Sequence, residues 1–252
     1  MSKILLIPDI HGRDFWKKAK DFEGEIVFLG DYLDPYRFEF DKNGKYQEFY
    51  NGELVKFNIA PDRKESCIEN LKEIISFAKS RNNVTLLLGN HDYHYLYMGF
   101  DASRKDTTRF PEIKKLFLKN SGIFKDYYIK DNLLCTHAGA SVDWVSLYSH
   151  SGNFEDAISN AAPDQKFSVS SYRGGFDQYS GPLWLDVNEI TTYDNKLYTD
   201  SKIKYQVFGH TMLVDQGSIC KRENGACIDS REVFEIDTKD PENTLKVWRK
   251  YN

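Results

Sequence analysis

The sequence predicts an α/β protein, a layered sandwich built around two mixed β-sheets, and three observations lead there. Short apolar runs of strand length each end in a polar cluster, helical periodicity separates the first of them, and hairpin signals join the later ones. The first run, KILLIPDIHG, is compactly apolar over 4–7, which suits a buried strand, and it opens into Asp9, His11 and Gly12. A lysine-rich stretch that reads as helix comes next, and EIVFLGDYLD then repeats the pattern with Gly30, Asp31 and Asp34. From 63 to 80, Cys67, Ile68, Leu71, Ile74, Ile75 and Ala78 recur at helical spacing, and NVTLLLGNHD gives a third strand-to-loop passage. Pro111 fits the first turn of a helix within 100–122. KDYYIK and NLLCTHAG read as strands turned at Asp131 and Asn132, 141–160 as helical and 168–181 as loop. YQVFGHT is one more buried strand with a polar end, and the tail, GSICKRENGACIDSREVFEID with TLKVWRK, reads as antiparallel strands. Ligands in open α/β sheets gather at the carboxyl ends of strands, which is where these clusters fall.

The 252 residues are expected to form a single domain, 1–252. At about 35–61 the pattern breaks: Phe38, Phe40, Tyr46, Phe49, Tyr50 and Phe57 fall without period among charges, which reads as an inserted surface excursion. Its aromatics either pack onto the body, the reading favoured here, or stack on a substrate. A formal net charge of -4 excludes a generally basic surface, so sequence-independent nucleic-acid binding is not expected. No run approaches the roughly 20 apolar residues of a membrane span, and the apolar start is too short and wrongly flanked for a signal peptide, so the chain reads as cytoplasmic with no membrane partner. Cys67, Cys135, Cys220 and Cys227 lack Cys-x-x-Cys spacing and read as reduced, partly buried thiols.

The chemistry is concentrated at the carboxyl ends of the strands. Asp9 and His11 come just past the first, Asp31 past the second, Asn90 and His91 past the third, and His137 and His210 past two later ones. Oxygen and imidazole donors in this mix suit borderline divalent metals such as Mn, Fe and Zn, and a carboxylate shared between two ions would hold them close, with Asp31 the candidate bridge. Attack on a phosphate ester needs a nucleophile at neutral pH and compensation of charge on the phosphoryl oxygens, and a metal pair supplies both. Asn90, His91 and Asp92 also have the composition of a helix start. His94 and His150 come after no such strand and are read as structural or surface residues.

DIHG, GDYLD, GNHD, THAG and FGHT, in that order, resemble the signature of calcineurin-like metallophosphoesterases, most of all the branch of Ser/Thr protein phosphatases and bacterial diadenosine tetraphosphate hydrolases. The likeness covers roughly the first ninety residues, 132–140 and 205–237. It implies a four-layer α/β/β/α sandwich with two mixed sheets and a binuclear metal centre. Asp9, His11 and Asp31 would hold one ion, and Asp31, Asn90, His137 and His210 the second. His91, oriented and charged by Asp34, would protonate the leaving alkoxide, since an imidazolium paired with a carboxylate keeps its proton near neutral pH. Two divalent ions are expected, Mn first, with Fe, Zn, Ni or Co accepted by the same donors.

The sequence departs from the resemblance where substrate is gripped. In that branch an arginine comes directly after the second aspartate of GDxxD, and here Pro35, which has no donor to offer, stands in its place. Arg37 and Arg173, the latter in the glycine-rich SYRGG, are nominated as replacements, with the Asn90 amide as a further donor to phosphate. Trp184 and Asp186 in GPLWLD are read as structural, and the usual glycine-rich turn of the closing strand pair is altered to Ser230 and Arg231. The function expected is hydrolysis of a phosphomonoester, on a protein side chain or a small molecule. Dinucleotide polyphosphate, nucleotide or cyclic phosphodiester hydrolysis is the alternative. A non-catalytic scaffold is disfavoured because no inferred ligand position is missing.

Overall fold

The early apolar runs become adjacent strands of one sheet. In the computed structural model, which describes residues 2–36, 38–40, 46–48, 61–190 and 202–249, β1 (Lys3–Ile7) pairs in parallel with β2 (Glu25–Phe28). A small antiparallel hairpin, β3 (Phe38–Phe40) and β4 (Tyr46–Glu48), stands apart from the main sheets. The first sheet then continues in parallel through β5 (Val84–Leu87) and β6 (Phe124–Lys125). A second sheet begins with β7 (Tyr128–Lys130) and β8 (Leu133–Cys135), antiparallel about the Asp131 turn, and β9 (Tyr205–Phe208) runs parallel to β8. It ends with β10 (Cys220–Arg222) and β11 (Gly225–Cys227). The chain then returns to the first sheet, where β12 (Phe234–Asp237) lies antiparallel to both β1 and β13 (Lys246–Val247). Both sheets are therefore mixed, in the orders β13-β12-β1-β2-β5-β6 and β10-β11-β9-β8-β7.

Alternation along the strands builds four layers. Leu5, Ile7, Ile26, Phe28 and Leu86 point to one face of the first sheet and pack with Ile68, Leu71, Ile74 and Ile75 of α1 (Pro61–Lys79). The same core takes Tyr93 and Tyr95 of α2 (Asn90–Leu96), and Ile113 and Phe117 of α3 (Phe110–Lys119), whose Pro111 sits in the first turn as expected. Ile4, Leu6, Val27 and Leu87 point the other way and meet Leu133, Cys135, Val207, Ala226 and Ile228 of the second sheet. Each fully buried large aliphatic there contributes about 1.5–3 kcal/mol. The outer face of the second sheet, through Leu134, is covered by Trp144 and Val145 of α4 (Val142–Tyr148) and by Phe154, Ala157 and Ile158 of α5 (Phe154–Asn160). This is the α/β/β/α order expected.

Two local differences have physical causes. The lysine-rich stretch forms a 3-10 helix, Phe15–Asp21, in which only Trp16 and Ala19 are buried, three residues apart as that helix places them. The tail is not wholly antiparallel: β11 joins β9 in parallel, and β12 crosses to the other sheet. The crossing turns at Arg231, which adopts φ 58 and donates to the carbonyls of Leu213 and Val214 at 3.2 and 2.5 Å, fixing a left-handed residue without glycine. Arg37 and most of the aromatic excursion, including Phe49, Tyr50 and Phe57, lie outside the described residues. Cys67, Cys135 and Cys227 are buried thiols and Cys220 a half-buried one, with no disulfide among the described residues. No helix among the described residues is long and apolar enough to cross a membrane.

Candidate metal centre

Asp9, His11, Asp31, Asn90, His137 and His210 converge at one end of the two sheets, and all but the half-buried His210 are almost fully buried. Sharp turns at the strand ends bring them there. His11, Asp31, Asp34 and His210 have φ of 44, 54, 56 and 66, left-handed values costly for residues with side chains and held here by surrounding bonds. Asp92 supplies much of the hold: its carboxylate accepts from the backbone N–H groups of Asp31 (2.7 Å), Tyr32 (3.0 Å) and Gly89 (2.9 Å). Gly89 and Gly209 are required by close approach, since a Cβ on either would lie 2.1 Å from an oxygen of Asp31 or Asp9 respectively.

The donors combine bonds to the surrounding chain with polar atoms that face one another. Asp31 Oδ1 accepts from His91 N–H at 2.9 Å, while Oδ2 lies 3.4 Å from His11 Nε2 and 3.6 Å from His137 Nε2, between the two histidines. Asp9 accepts from His210 N–H at 3.0 Å and has Oδ2 3.9 Å from His11 Nε2. His11 Nδ1 bonds the Leu33 carbonyl at 2.7 Å and His137 Nδ1 the Leu29 carbonyl at 2.9 Å, which fixes both rings with Nε2 toward the centre, as metal-binding imidazoles are commonly held. His137 Nε2 is 2.9 Å from Asn90 Oδ1 and 3.2 Å from His210 Nδ1. Among the described residues three groups of donors lie within 4.8 Å of one another: Asp9–His11–Asp31 and Asp31–His137–His210, which share Asp31, and Asp34–His91–His94 beside them.

The electrostatics call for cations. Burial pushes the carboxyls of Asp9 and Asp31 well above their usual range, and for Asp9 the nearby charge of buried Asp229 adds to it. Burial pushes His11, His137 and His210 below the usual histidine value, keeping the rings neutral and able to donate lone pairs. His210 Nε2 is buried and has no hydrogen-bond partner among the described residues. Buried carboxylates without compensating charge are expensive, and divalent ions among these oxygens and imidazoles would remove the cost. The donor set therefore fits divalent metal.

Beside it, Asp34 Oδ2 lies 2.9 Å from His91 Nδ1 and 2.8 Å from His94 Nε2, and Oδ1 accepts from Tyr95 O–H at 2.6 Å. Burial raises the Asp34 carboxyl, but the bonds from His91 and His94 outweigh it and the net shift is downward. His91 departs from the expectation of a charged ring. Burial lowers it to about 4 despite the pairing with Asp34, and Arg104 and His94 add to the lowering. Its Nδ1–H donates to Asp34, and Nε2 accepts from Arg104 Nη2 at 3.3 Å. His94, read from the sequence as structural or surface, is fully buried behind Asp34 and accepts from Ala102 N–H at 3.0 Å through Nδ1. The spacing could have revealed it, since His94 and Tyr95 lie three and four residues past His91, on one face of α2. His150 is exposed. Arg173 reaches the rim by His210, donating from Nη2 to Thr211 Oγ1 at 2.5 Å and pairing with Asp186 at 2.9 Å. Asp186 also caps a 3-10 turn at Val187–Glu189, and Trp184 packs edge-on to His210.

The calcineurin-like phosphoesterase pattern matches residues 2–213, so the chain belongs to that family. Two solved structures share the fold. One is a cold-active protein tyrosine phosphatase, 15% identical, with 94% of this chain and 74% of that chain covered and a TM-score of 0.52. The other is a protein serine/threonine phosphatase from Saccharomyces cerevisiae with similarity to human phosphatase PP5, 14% identical, with 99% and 81% covered and a TM-score of 0.51. No curated protein matches the sequence. Family and fold make this chain a metal-dependent phosphoesterase, a hydrolase acting on a phosphorylated substrate.

Proposed function

We propose that the chain hydrolyses a phosphomonoester with two divalent ions, manganese the first candidate, held by Asp9, His11 and Asp31 on one side and Asp31, Asn90, His137 and His210 on the other. The observation that carries this reading is the position of Asp31 Oδ2, inside both donor groups while Oδ1 is held by His91 N–H. When bound, the ions supply a water of lowered pKa as nucleophile and charge compensation on the phosphoryl oxygens. The chain's own groups do the rest. His91 hands a proton to the leaving oxygen as the P–O bond breaks, releasing an alcohol and inorganic phosphate. The neutral His91 ring becomes competent when an anionic phosphoryl group sits beside Nε2, because that charge favours the protonated ring, and Asp34 stabilises it from Nδ1. His94 and Tyr95 hold the Asp34 carboxylate in place.

The test is hydrolysis of an aryl and an alkyl phosphate monoester by metal-stripped protein, with and without Mn²⁺, beside His91→Ala. Activity is expected to return with metal and, on the alkyl ester, to fall by a factor on the order of 10² or more in the variant. The aryl ester, whose leaving group needs little protonation, should fall less. Metal-loaded protein that cleaves diesters or dinucleotide polyphosphates but neither monoester would sink the reading.

A further inference from the structure

Arg104 comes from the loop after α2, folded back by a left-handed residue at its own position, φ 66, so that its side chain reaches the site. Nε donates to the Asp34 carbonyl at 3.0 Å, Nη1 to Ser103 Oγ at 3.1 Å, and Nη2 to His91 Nε2 at 3.3 Å. Those bonds engage three of the five guanidinium donors. The guanidinium lies on the ring of Tyr36, with the carbon 3.9 Å from the centroid, and Tyr36 in turn stands edge-on to His11 at 4.8 Å. Among the described residues Arg104 has no carboxylate within ion-pairing distance, whereas Arg173 is taken up by Asp186 and Thr211. A half-buried, rigidly stacked cation with free donors beside the candidate proton donor needs an anion to complete it.

We infer that Arg104, on its Tyr36 platform, grips a non-bridging oxygen of the substrate's phosphoryl group and so fills the place that Pro35 leaves without a donor. The inference rests on the function proposed above and sharpens its substrate class. A terminal phosphoryl group presents three non-bridging oxygens and a diester only two, so a monoester has one more to offer Arg104. Tyr36 contributes its face, against which the guanidinium lies.

The deciding measurement is calorimetric titration of the Mn²⁺-loaded protein with inorganic phosphate, with metal content measured on every variant. Arg104→Ala should weaken phosphate binding about 10- to 100-fold with metal content unchanged, and Arg104→Lys should recover part of it. Tyr36→Leu should weaken binding with metal content unchanged. In hydrolysis the loss should appear in KM. Phosphate affinity within about twofold of wild type in Arg104→Ala would overturn the inference, even if kcat on an alkyl ester falls, because that marks a role confined to positioning Asp34 and His91. So would a loss in Arg173→Ala without one in Arg104→Ala, or no phosphate binding by the loaded wild type. Wild type that binds phosphate yet cleaves no monoester breaks the proposed function alone, and the Arg104 assignment is still decided by the titration.

Discussion

The core between the sheets and the centre at the strand ends are equally buried and chemically opposite. Ile4, Leu6, Val27, Leu87, Leu133 and Val207 fill the first with carbon alone, while a few residues further along the same strands Asp9, Asp31, Asn90 and His137 are just as inaccessible and carry charge or unused lone pairs. The first region stabilises by burial, and the second costs free energy until something cationic enters it. Left-handed turns at His11, Asp31, Asp34 and His210 add strain to that cost. The inter-sheet core thus supports a site the fold would be more stable without, and mutations in the two regions should have opposite signs.

The sharpest test is Asp31→Asn. Hydrolysis should fall by about 10³ with loss of bound metal, since both donor groups lose their shared oxygen anion. The amide can still accept from His91 N–H, and the buried charge is gone, so the metal-free variant should melt about 2–4 °C above metal-free wild type. The direction with pH is set by protonation: Asp31 has a raised folded-state value, so wild type binds more protons folded than unfolded, and its stability falls as pH rises from the unfolded carboxylate range through the folded one. The gap between variant and wild type should therefore widen upward in pH and close when Mn²⁺ is added to wild type. A variant that melts lower at every pH would break the comparison. Leu133→Ala, fully buried at the far end of β8, should do the reverse: about 2–5 kcal/mol of stability lost, with metal content per folded molecule and KM kept within about twofold. Urea denaturation and a metal assay on the same sample check both halves.

The sequence carried more of one region than of the other. The apolar runs at 4–7, 84–88 and in YQVFGHT made the strands legible, and the residues just past each run converge because parallel strands deliver their carboxyl ends to one side. Burial was harder to read. Pairing of His91 with Asp34 is implied by the motif, but the lowering of His91 to about 4 depends on how completely other elements cover the ring. His94 was within reach through helical spacing. Arg104 was not, because no periodicity connects a loop residue to the strand-end site it folds back upon. The role of Asp92 is hidden for a similar reason: its partners at Asp31 and Tyr32 lie about sixty residues earlier.

The smallest effect lies at the opposite end of the sandwich from the metal centre. Glu25 opens β2, and its carboxylate accepts from Tyr128 O–H at 2.6 Å and pairs with Lys130, both on β7, so one side chain joins an inner strand of the first sheet to the edge strand of the second. Burial raises the Glu25 pKa, but the bonds from Lys130 and Tyr128 outweigh it and the net shift is downward. A carboxyl depressed on folding contributes stability above its unfolded value, about 4.3, and loses it as pH falls through the lower folded value. Since Glu25 is more than one third exposed, solvent screening keeps the contribution to a few tenths of a kcal/mol. Tyr128→Phe should therefore lower stability by less than about 1 kcal/mol at neutral pH and by nothing measurable below about pH 3, with metal content and hydrolysis unchanged. A loss of several kcal/mol, or one that persists in acid, would mean that the Tyr128 hydroxyl does more than bond an ionised Glu25, since phenylalanine keeps the ring and its packing against the inter-sheet core.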